Sequence, residues 1–404
     1  MTLQPRPKGT GEGPLAGIVV ADFSRVLAGP YGTMLLADLG ATVIKVEAPD
    51  GDDTRAWAPP SRDGVSTYYL SVNRNKDSIV LDLKNSDDLQ TAYEIIDRSD
   101  VFVENFKPGG LAKFGLDPES VARRWPALIH SSITGFGLEE GAGMPGYDLL
   151  VQAMSGLMHT TGSQHGPPQR TGVAIFDVVT GMHAVIGILA ALRERSMSGR
   201  GQHIVLDLLS SAQSSLVNQT TGYAACNNEP MRMGNEHPSL YPYGPFMAAD
   251  REIVICVGNN SQFRRLTERL GIAWVAGDPR YLTPEARNLN RETLRDILED
   301  RLSTQTADEW FDALQAVKVP CAPILTVGEG IRFSEKLGLQ PVVQVGEGTD
   351  TVPLIKNPIS YSRSQVSYHK SPPSLGSDEN AVYAWLHSTQ PKHAAETRLA
   401  SAKS

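Results

Sequence analysis

Short β-branched runs separated by helical stretches, repeated at a steady pace, constrain this chain more than any other feature. Gly17–Phe23 (GIVVADF) reads as a buried parallel strand bounded by glycine and by Ser24. Pro30–Leu39 reads as a helix, with Pro30 suited to the first turn and Gly40 to the stop. Val43–Glu47 is the next strand, which completes a βαβ unit with a right-handed crossover. Strands at Ser78–Leu83, Val101–Phe106 and Leu128–Ile133 then alternate with helices at Asp87–Arg98 and Pro118–Arg124. This alternation predicts a mostly parallel α/β sheet.

Two long helices follow, over Tyr147–His159 and Asp177–Arg195. The second carries Gly181, Ala184, Gly187 and Ala191, a face of small residues that lets another backbone approach closely. A strand at His203–Leu208 leads into a third helix ending near Ala225. From about Asn227 the texture changes. A Pro- and Gly-rich loop runs to Phe246, and loops of that length are usually functional or linkers. Strands at Pro245–Ala248 and Ile253–Val257, helices at Ser261–Leu270, Arg291–Arg301 and Ala307–Val317, and a strand near Ala322–Val327 predict a smaller α+β domain over 227–334. The large domain is then 15–226 together with a return over 335–404, which has strands near Val343 and at Val352–Leu354. Residues 1–14 read as a disordered tail, and the chain after Pro391 as a frayed one.

Composition narrows the function. With 41% hydrophobic and 20% charged residues the chain reads as soluble and globular. Its formal net charge of -8 argues against a general nucleic-acid binder, yet leaves room for an anionic small ligand held by local cations. Cys226, Cys256 and Cys321 have no CxxC spacing, so neither a disulfide framework nor a zinc site is expected. They read as small buried apolar residues in a reducing cytoplasm. The N-terminus lacks the apolar core of a signal peptide. The longest uncharged apolar run, Val178–Leu192, is too short to span a bilayer. A soluble cytoplasmic protein is expected.

Several motifs are missing: GxxxxGK[ST], HExxH, His/Cys clusters at ligand spacing and GxSxG. No metal is expected. Gly9–Gly13 precedes the first strand, whereas a dinucleotide loop follows its strand. What remains is loops at the carboxyl ends of strands, where open parallel sheets bind ligands. These are Ser24–Pro30, Asn105–Gly109 and Thr134–Gly137, whose glycines either admit a ligand to the backbone or make ordinary turns. Asp177 opens a helix. It reads either as the N-cap of that helix or as a nucleophile that the helix dipole keeps ionised and aimed. Asp148 is a second carboxylate of the same kind, a first-turn acid or a catalytic partner. His183 reads as a packing residue, and His237, before Pro238, as a turn residue or part of a cleft lining.

Taken together these segments resemble the class III CoA-transferases, the superfamily of formyl-CoA transferase and acyl-CoA racemase. The similarity runs from Leu15 to Gly376 and rests on DFSRVLAGPYGTMLLADLGATVIKVE (22–47), LSVNRNKDSIVLDLK (70–84), VFVENFKPGGLAKFGL (101–116), SITGFG (132–137), GVAIFDVVTGMHAVIGILAAL (172–192) and VGNNSQFRRL (257–266). It implies a Rossmann-like large domain, a smaller α+β domain and an interlocked homodimer. It implies coenzyme A or an acyl-CoA as substrate, with no tightly bound cofactor. Asp177 falls on the catalytic aspartate. Leu27, Ala28, Leu81, Asp82, Leu83, Lys84, Asn105, Phe106 and Lys113 fall on CoA-binding positions.

Some positions depart from the oxalate-using pattern. Leu27 stands for a glutamine, Ala48 for an arginine, and Gly258, Asn259 and Asn260 replace a run of glycines over the acyl site. Where racemases carry His-Asp, this chain has Tyr147 and Asp148, which favours transfer, since racemisation needs a second base. RVLAGP, GDDTR (51–55), STYYLSVNRNK (66–76), GNNSQF (258–263) and PPSLG (372–376) resemble the branch that moves CoA between succinyl-CoA and glutarate. Backbone amides near Gly137 and Gly258–Asn260 are expected to stabilise oxyanions. Arg55 or Arg170 is expected to hold the distal carboxylate of a dicarboxylate acceptor, with Tyr147 and His237 near the substrate. The alternatives are a 2-methylacyl-CoA racemase and a catalytically silent CoA-binding protein.

Overall fold

The computed structural model describes residues 13–348 and 350–388. The Gly9–Gly13 run, apart from Gly13 itself, and the tail after Pro391 therefore lie outside the described residues. The chain divides into two compact units, one of 1–155, 171–227 and 340–404 and the other of 156–170 and 228–339. Residues 156–170, read from sequence as part of the large domain, belong to the second unit.

The first unit begins with β1 (Val19–Asp22), α1 (Ala28–Asp38) and β2 (Thr42–Glu47). A small hairpin, β3 (Ser61–Arg62) and β4 (Val65–Ser66), precedes α2 (Thr67–Val72). Then come β5 (Lys76–Val80), α3 (Ser86–Asp97), β6 (Val101–Glu104), α4 (Pro118–Arg124), β7 (Ile129–Thr134) and α5 (Asp148–Met154). A short α6 (Leu157–Thr160) falls in the second unit. The first unit resumes with α7 (Ile175–Ser198), β8 (His203–Asp207), α8 (Leu208–Ser215) and α9 (Asn218–Cys226).

Six strands form one parallel sheet in the order β5-β2-β1-β6-β7-β8. The strand order reverses between β1 and β6, which makes their carboxyl ends the place where an open sheet of this kind takes a ligand. Helices cover both faces. Val20, Val43, Val101, Val103 and Ile129 pack with Leu36 of α1 and with Val185 and Ile188 of α7. Ala21, Ile44, Ile79 and Phe102 pack on the other face with Ile95 and Ile96 of α3 and with the C-terminal helix.

The second unit holds β9 (Tyr243–Met247), β10 (Glu252–Cys256), α10 (Asn260–Arg269), α11 (Pro284–Leu289), α12 (Arg291–Leu302), α13 (Ala307–Ala316), β11 (Cys321–Pro323) and α14 (Val327–Lys336). Its three strands are antiparallel in the order β11-β10-β9. Its own core is built around Phe246, Ile253, Ile255, Leu294, Leu298 and Trp310. The chain then returns to the first unit as the hairpin β12 (Val342–Glu347) and β13 (Asp350–Ile355) and as α15 (Glu379–Leu386). Val382 and Leu386 of α15 enter the first core, and Ser78 N on the edge strand β5 donates to Asp378 Oδ2. That edge is thereby covered.

Three expectations need correction. The helix over Tyr147–His159 is broken, because Gly156 takes a left-handed φ of 94° and separates α5 from α6. The third helix divides into α8 and α9 at Val217. Cys226 is exposed, whereas Cys256 is half-buried and Cys321 buried. The helix α7 is also longer than the uncharged run within it. At 24 residues it is long and apolar enough to cross a membrane by length and composition alone. Its apolar character has a local use, since Phe176, Ala184, Val185, Ile188 and Ala191 are buried within the unit.

The face of small residues on α7 does what its spacing suggests. Gly181 lies against α1 so closely that an added Cβ would stand 2.6 Å from Ala28 O. Gly181→Ala is therefore expected to lower stability by about 1–3 kcal/mol. Urea unfolding of the variant beside the parent measures this directly.

Candidate active site

A cleft of about 330 Å³ opens at the switch point between β1 and β6. Its walls are Arg25–Ala28 after β1, Asn105–Pro108 after β6, Ile133–Gly135 at the end of β7, and Gly143–Tyr147 before α5. Asp53, Trp57 and Leu208 complete it, and Asp177 lies in its lining.

Asp177 is the third residue of α7, and the N-cap is Ala174, which makes no side-chain cap. The capping role expected of Asp177 is taken by Asp148. Its Oδ1 accepts Phe176 N at 2.8 Å and Asp177 N at 3.4 Å. The amides that would have held the Asp177 carboxylate ionised are thus spent on a second carboxylate. Burial raises the Asp177 carboxyl pKa, and the neighbouring Asp148 charge raises it further, to about 7 from 3.8. Burial and this neighbouring charge thus oppose the dipole that was expected to keep Asp177 ionised. A carboxylate poised near neutrality is instead a more basic nucleophile, and shifts of this size concentrate at functional sites.

The loop after β1 is held from three sides. Asn105 Nδ2 donates to Arg25 O at 2.7 Å, and Asn105 Oδ1 accepts Arg25 N at 3.0 Å. Val26 N donates to both oxygens of Asp52, at 3.3 and 3.2 Å. Lys45 Nζ donates to Ser24 O at 3.1 Å. These contacts keep Val26 at a φ of 70°, which a β-branched residue rarely adopts. The side chain of Asn105 thus shapes the cleft wall.

Of the sequence-expected residues, the cleft brings together Leu27, Ala28, Asn105, Phe106, Tyr147 and Asp177. Others lie outside its lining. Leu81 is core, and Leu83 packs against that same core. Asp82 Oδ1 accepts Lys84 N, while Lys84 and Lys113 are surface lysines.

Arg55 does not face a substrate. Its Nε and Nη2 grip Glu47 at 2.9 and 2.7 Å, Nη1 donates to Pro373 O, and the guanidinium lies 3.9 Å over the Tyr69 ring. Gly137 N donates to Thr134 Oγ1 at 3.1 Å, so it is not turned toward an oxyanion. Gly135 serves chain packing instead of ligand approach, since a Cβ there would stand 2.4 Å from Gly146 Cα.

In the second unit, Gly258 N donates to Gln262 Oε1 at 2.7 Å, and Asn259 caps α10 through Gln262 N. Asn260 Oδ1 accepts Arg287 Nη2 at 2.9 Å. His237 Nδ1 accepts the amides of Ser239 and Leu240, as a turn residue does, and Arg170 is exposed. His183 Nδ1 lies 3.2 Å from Ser211 Oγ.

Sequence reading missed Asp53, Trp57 and the Val26 backbone. The motif GDDTR held a clue to Asp52 and Asp53, but no local pattern in the sequence reveals a positive φ at a valine.

The family model described as CoA-transferase family III matches residues 15–379. The chain belongs to CoA-transferase family III. As a member of that family it is an enzyme that transfers coenzyme A. It is 41% identical to a succinate–glutarate CoA-transferase of Agrobacterium fabrum over 388 residues, covering 93% of this chain and 96% of the relative. It is 38% identical to an acetyl-CoA:oxalate CoA-transferase of Acetobacter aceti, covering 83% of this chain and 87% of the relative. The crystal structure of a CAIB/BAIF family protein from Brucella suis superposes with a TM-score of 0.86 at 38% identity, covering 93% of this chain and all of that one (100%).

The raised Asp177 pKa has a sign that can be checked in this CoA-transferase. Between 3.8 and about 7 the native carboxyl holds its proton more tightly than the unfolded chain does. Stability from this group is therefore lost as pH rises through that window. Asp177→Asn is expected to raise the thermal midpoint at about pH 8, with the gain disappearing near about pH 4. Thermal unfolding at the two pH values measures it. Transfer activity of the parent should in turn climb as pH rises through about 7.

Proposed function

We propose that this CoA-transferase carries CoA from succinyl-CoA to a dicarboxylate, glutarate in particular, through a thioester on Asp177. The Asp177 carboxylate attacks the donor carbonyl, CoA thiolate leaves, and a mixed anhydride forms. The thiolate then attacks the aspartyl carbonyl of that anhydride, releasing the donor acid as its carboxylate and leaving aspartyl-CoA. The acceptor carboxylate attacks the aspartyl carbonyl and again displaces the thiolate. Attack of the thiolate on the acceptor carbonyl gives the new acyl-CoA and returns Asp177. Every intermediate remains an activated acyl group, so no other energy source enters.

The observation that carries this reading is Asp177 itself, a carboxylate raised toward neutrality in the wall of a cleft at the sheet's switch point. Arg25 and Lys107 line the same cleft and offer positive charge to the phosphates of CoA. The acceptor is argued from the Agrobacterium relative, whose name carries succinate and glutarate. Leu27, in the place of a polar residue of the oxalate pattern, also favours the longer acid. With Arg55 committed to Glu47, the distal carboxylate of the acceptor needs another cation. We further propose that the enzyme works as an interlocked homodimer. On α7, Ile186 is 63% and Met182 40% exposed, an apolar face on the side of the helix away from its buried residues, which a second copy would cover.

Initial rates with succinyl-CoA against a panel of acids test the reading. Glutarate is expected to exceed oxalate in kcat/KM by at least about tenfold. A preference for oxalate would overturn the proposed acceptor. Asp177→Ala is expected to reduce transfer by at least about a thousandfold with every acid.

A further inference from the structure

Gln152 is a buried amide for which the transfer chemistry has no direct use. It lies on α5 one turn after Asp148 and is 1% exposed. Its Nε2 donates to Asp148 Oδ2 at 2.5 Å and to Val173 O at 3.2 Å. Its Oε1 accepts Thr171 N at 3.0 Å and Thr171 Oγ1 at 3.3 Å. Every hydrogen-bonding direction of the amide is therefore used on two targets. One is the carboxylate that caps α7; the other is the segment that leads into α7.

We infer that Gln152 is the positioning residue for the Asp177 nucleophile, acting through Asp148 and through Thr171–Val173. This rests on the reading of Asp177 given above. The Asp148 carboxylate spends one oxygen on Phe176 N and Asp177 N and the other on Gln152. With the Gln152 contact removed, that carboxylate is free to rotate, and the first turn of α7 loses the anchor that sets where Asp177 points. A misplacement of a reacting group by about 1 Å can cost about a hundredfold in rate. The residue type also matters. A neutral amide fixes Asp148 without cancelling its charge, whereas a lysine or arginine there would neutralise it and make Asp177 less basic.

Gln152→Met and Gln152→Glu in the full chain test this. The first fills a similar volume without a donor. The second keeps the shape and the acceptor for Thr171 but turns an oxygen toward Asp148. Steady-state kinetics are measured below the thermal midpoint of each variant, beside Asp177→Asn. In both variants kcat is expected to fall about tenfold to a hundredfold, with KM for the acyl-CoA donor unchanged within about twofold. A kcat within about twofold of the parent in either variant, with Asp177→Asn inactive, overturns the positioning role and leaves the nucleophile in place. A loss confined to donor KM overturns it too, because that marks a disturbed cleft and not a misaimed carboxylate. If Asp177→Asn itself retains full activity, the nucleophile reading fails, and the positioning role fails with it.

Discussion

Four charges with no solvent exposure, Asp22, Lys45, Asp52 and Lys76, hold the end of the sheet on which the site is built. Taking each from water costs several kcal/mol, which geometry must offset. Here the partners are complete. Asp22 accepts Lys76 Nζ at 3.0 Å, Thr33 Oγ1 at 2.6 Å and both Ser24 N and Oγ. Lys76 also reaches Pro30 O and Asn73 Oδ1, at 2.9 and 3.0 Å. Lys45 pairs with Asp52 at 2.9 Å and holds Ser24 O. Burial still lowers the Lys76 pKa to about 8, despite the Asp22 carboxylate beside it. The network grips the chain from Ser24 to Thr33. It therefore fixes the wall of the cleft, including the left-handed backbone at Val26.

On the opposite wall the constraint is a competition between two carboxylates for one helix terminus. Asp148 takes the free amides at the start of α7, and the carboxylate of Asp177, in the first turn of the same helix, receives none of them. The helix terminus serves Asp148, and Asp177 is left more basic by burial and by its neighbour. The capping role that Asp177 was read as combining with catalysis belongs to Asp148. Gly181 completes the arrangement by seating α7 against the carbonyl of Ala28, another residue of the cleft wall.

The sheet was legible in the sequence because its signal is local. Each β-branched run is followed by its own helix and stop, and Pro118–Arg124 was placed residue for residue. Strand ends at Leu83 and Phe106 were read too long, since apolar residues that continue into the core after a strand look like more strand. The breaks at Gly156 and Val217 were missed because each rests on a single residue with positive φ inside an otherwise helical pattern. Of the residues singled out in the sequence, Asp177, Leu27, Ala28, Asn105, Phe106 and Tyr147 stand in the cleft lining. Arg55 was misassigned because a motif records that an arginine is present and not which carboxylate it grips. Glu47, its partner, is eight residues away on the end of β2. Gly258 and Gly137 were misread for a related reason: whether a backbone amide is free depends on where Gln262 and Thr134 point, and a motif that contains both residues does not record that.

The proposed transfer depends on Asp177 becoming covalently acylated. The most direct measurement is to mix the enzyme with succinyl-CoA, quench with hydroxylamine and map the modified peptide by mass spectrometry. A hydroxamate at Asp177, absent when the acyl-CoA is omitted, is expected. A hydroxamate confined to another carboxylate, or turnover with no modified carboxylate at all, would contradict it.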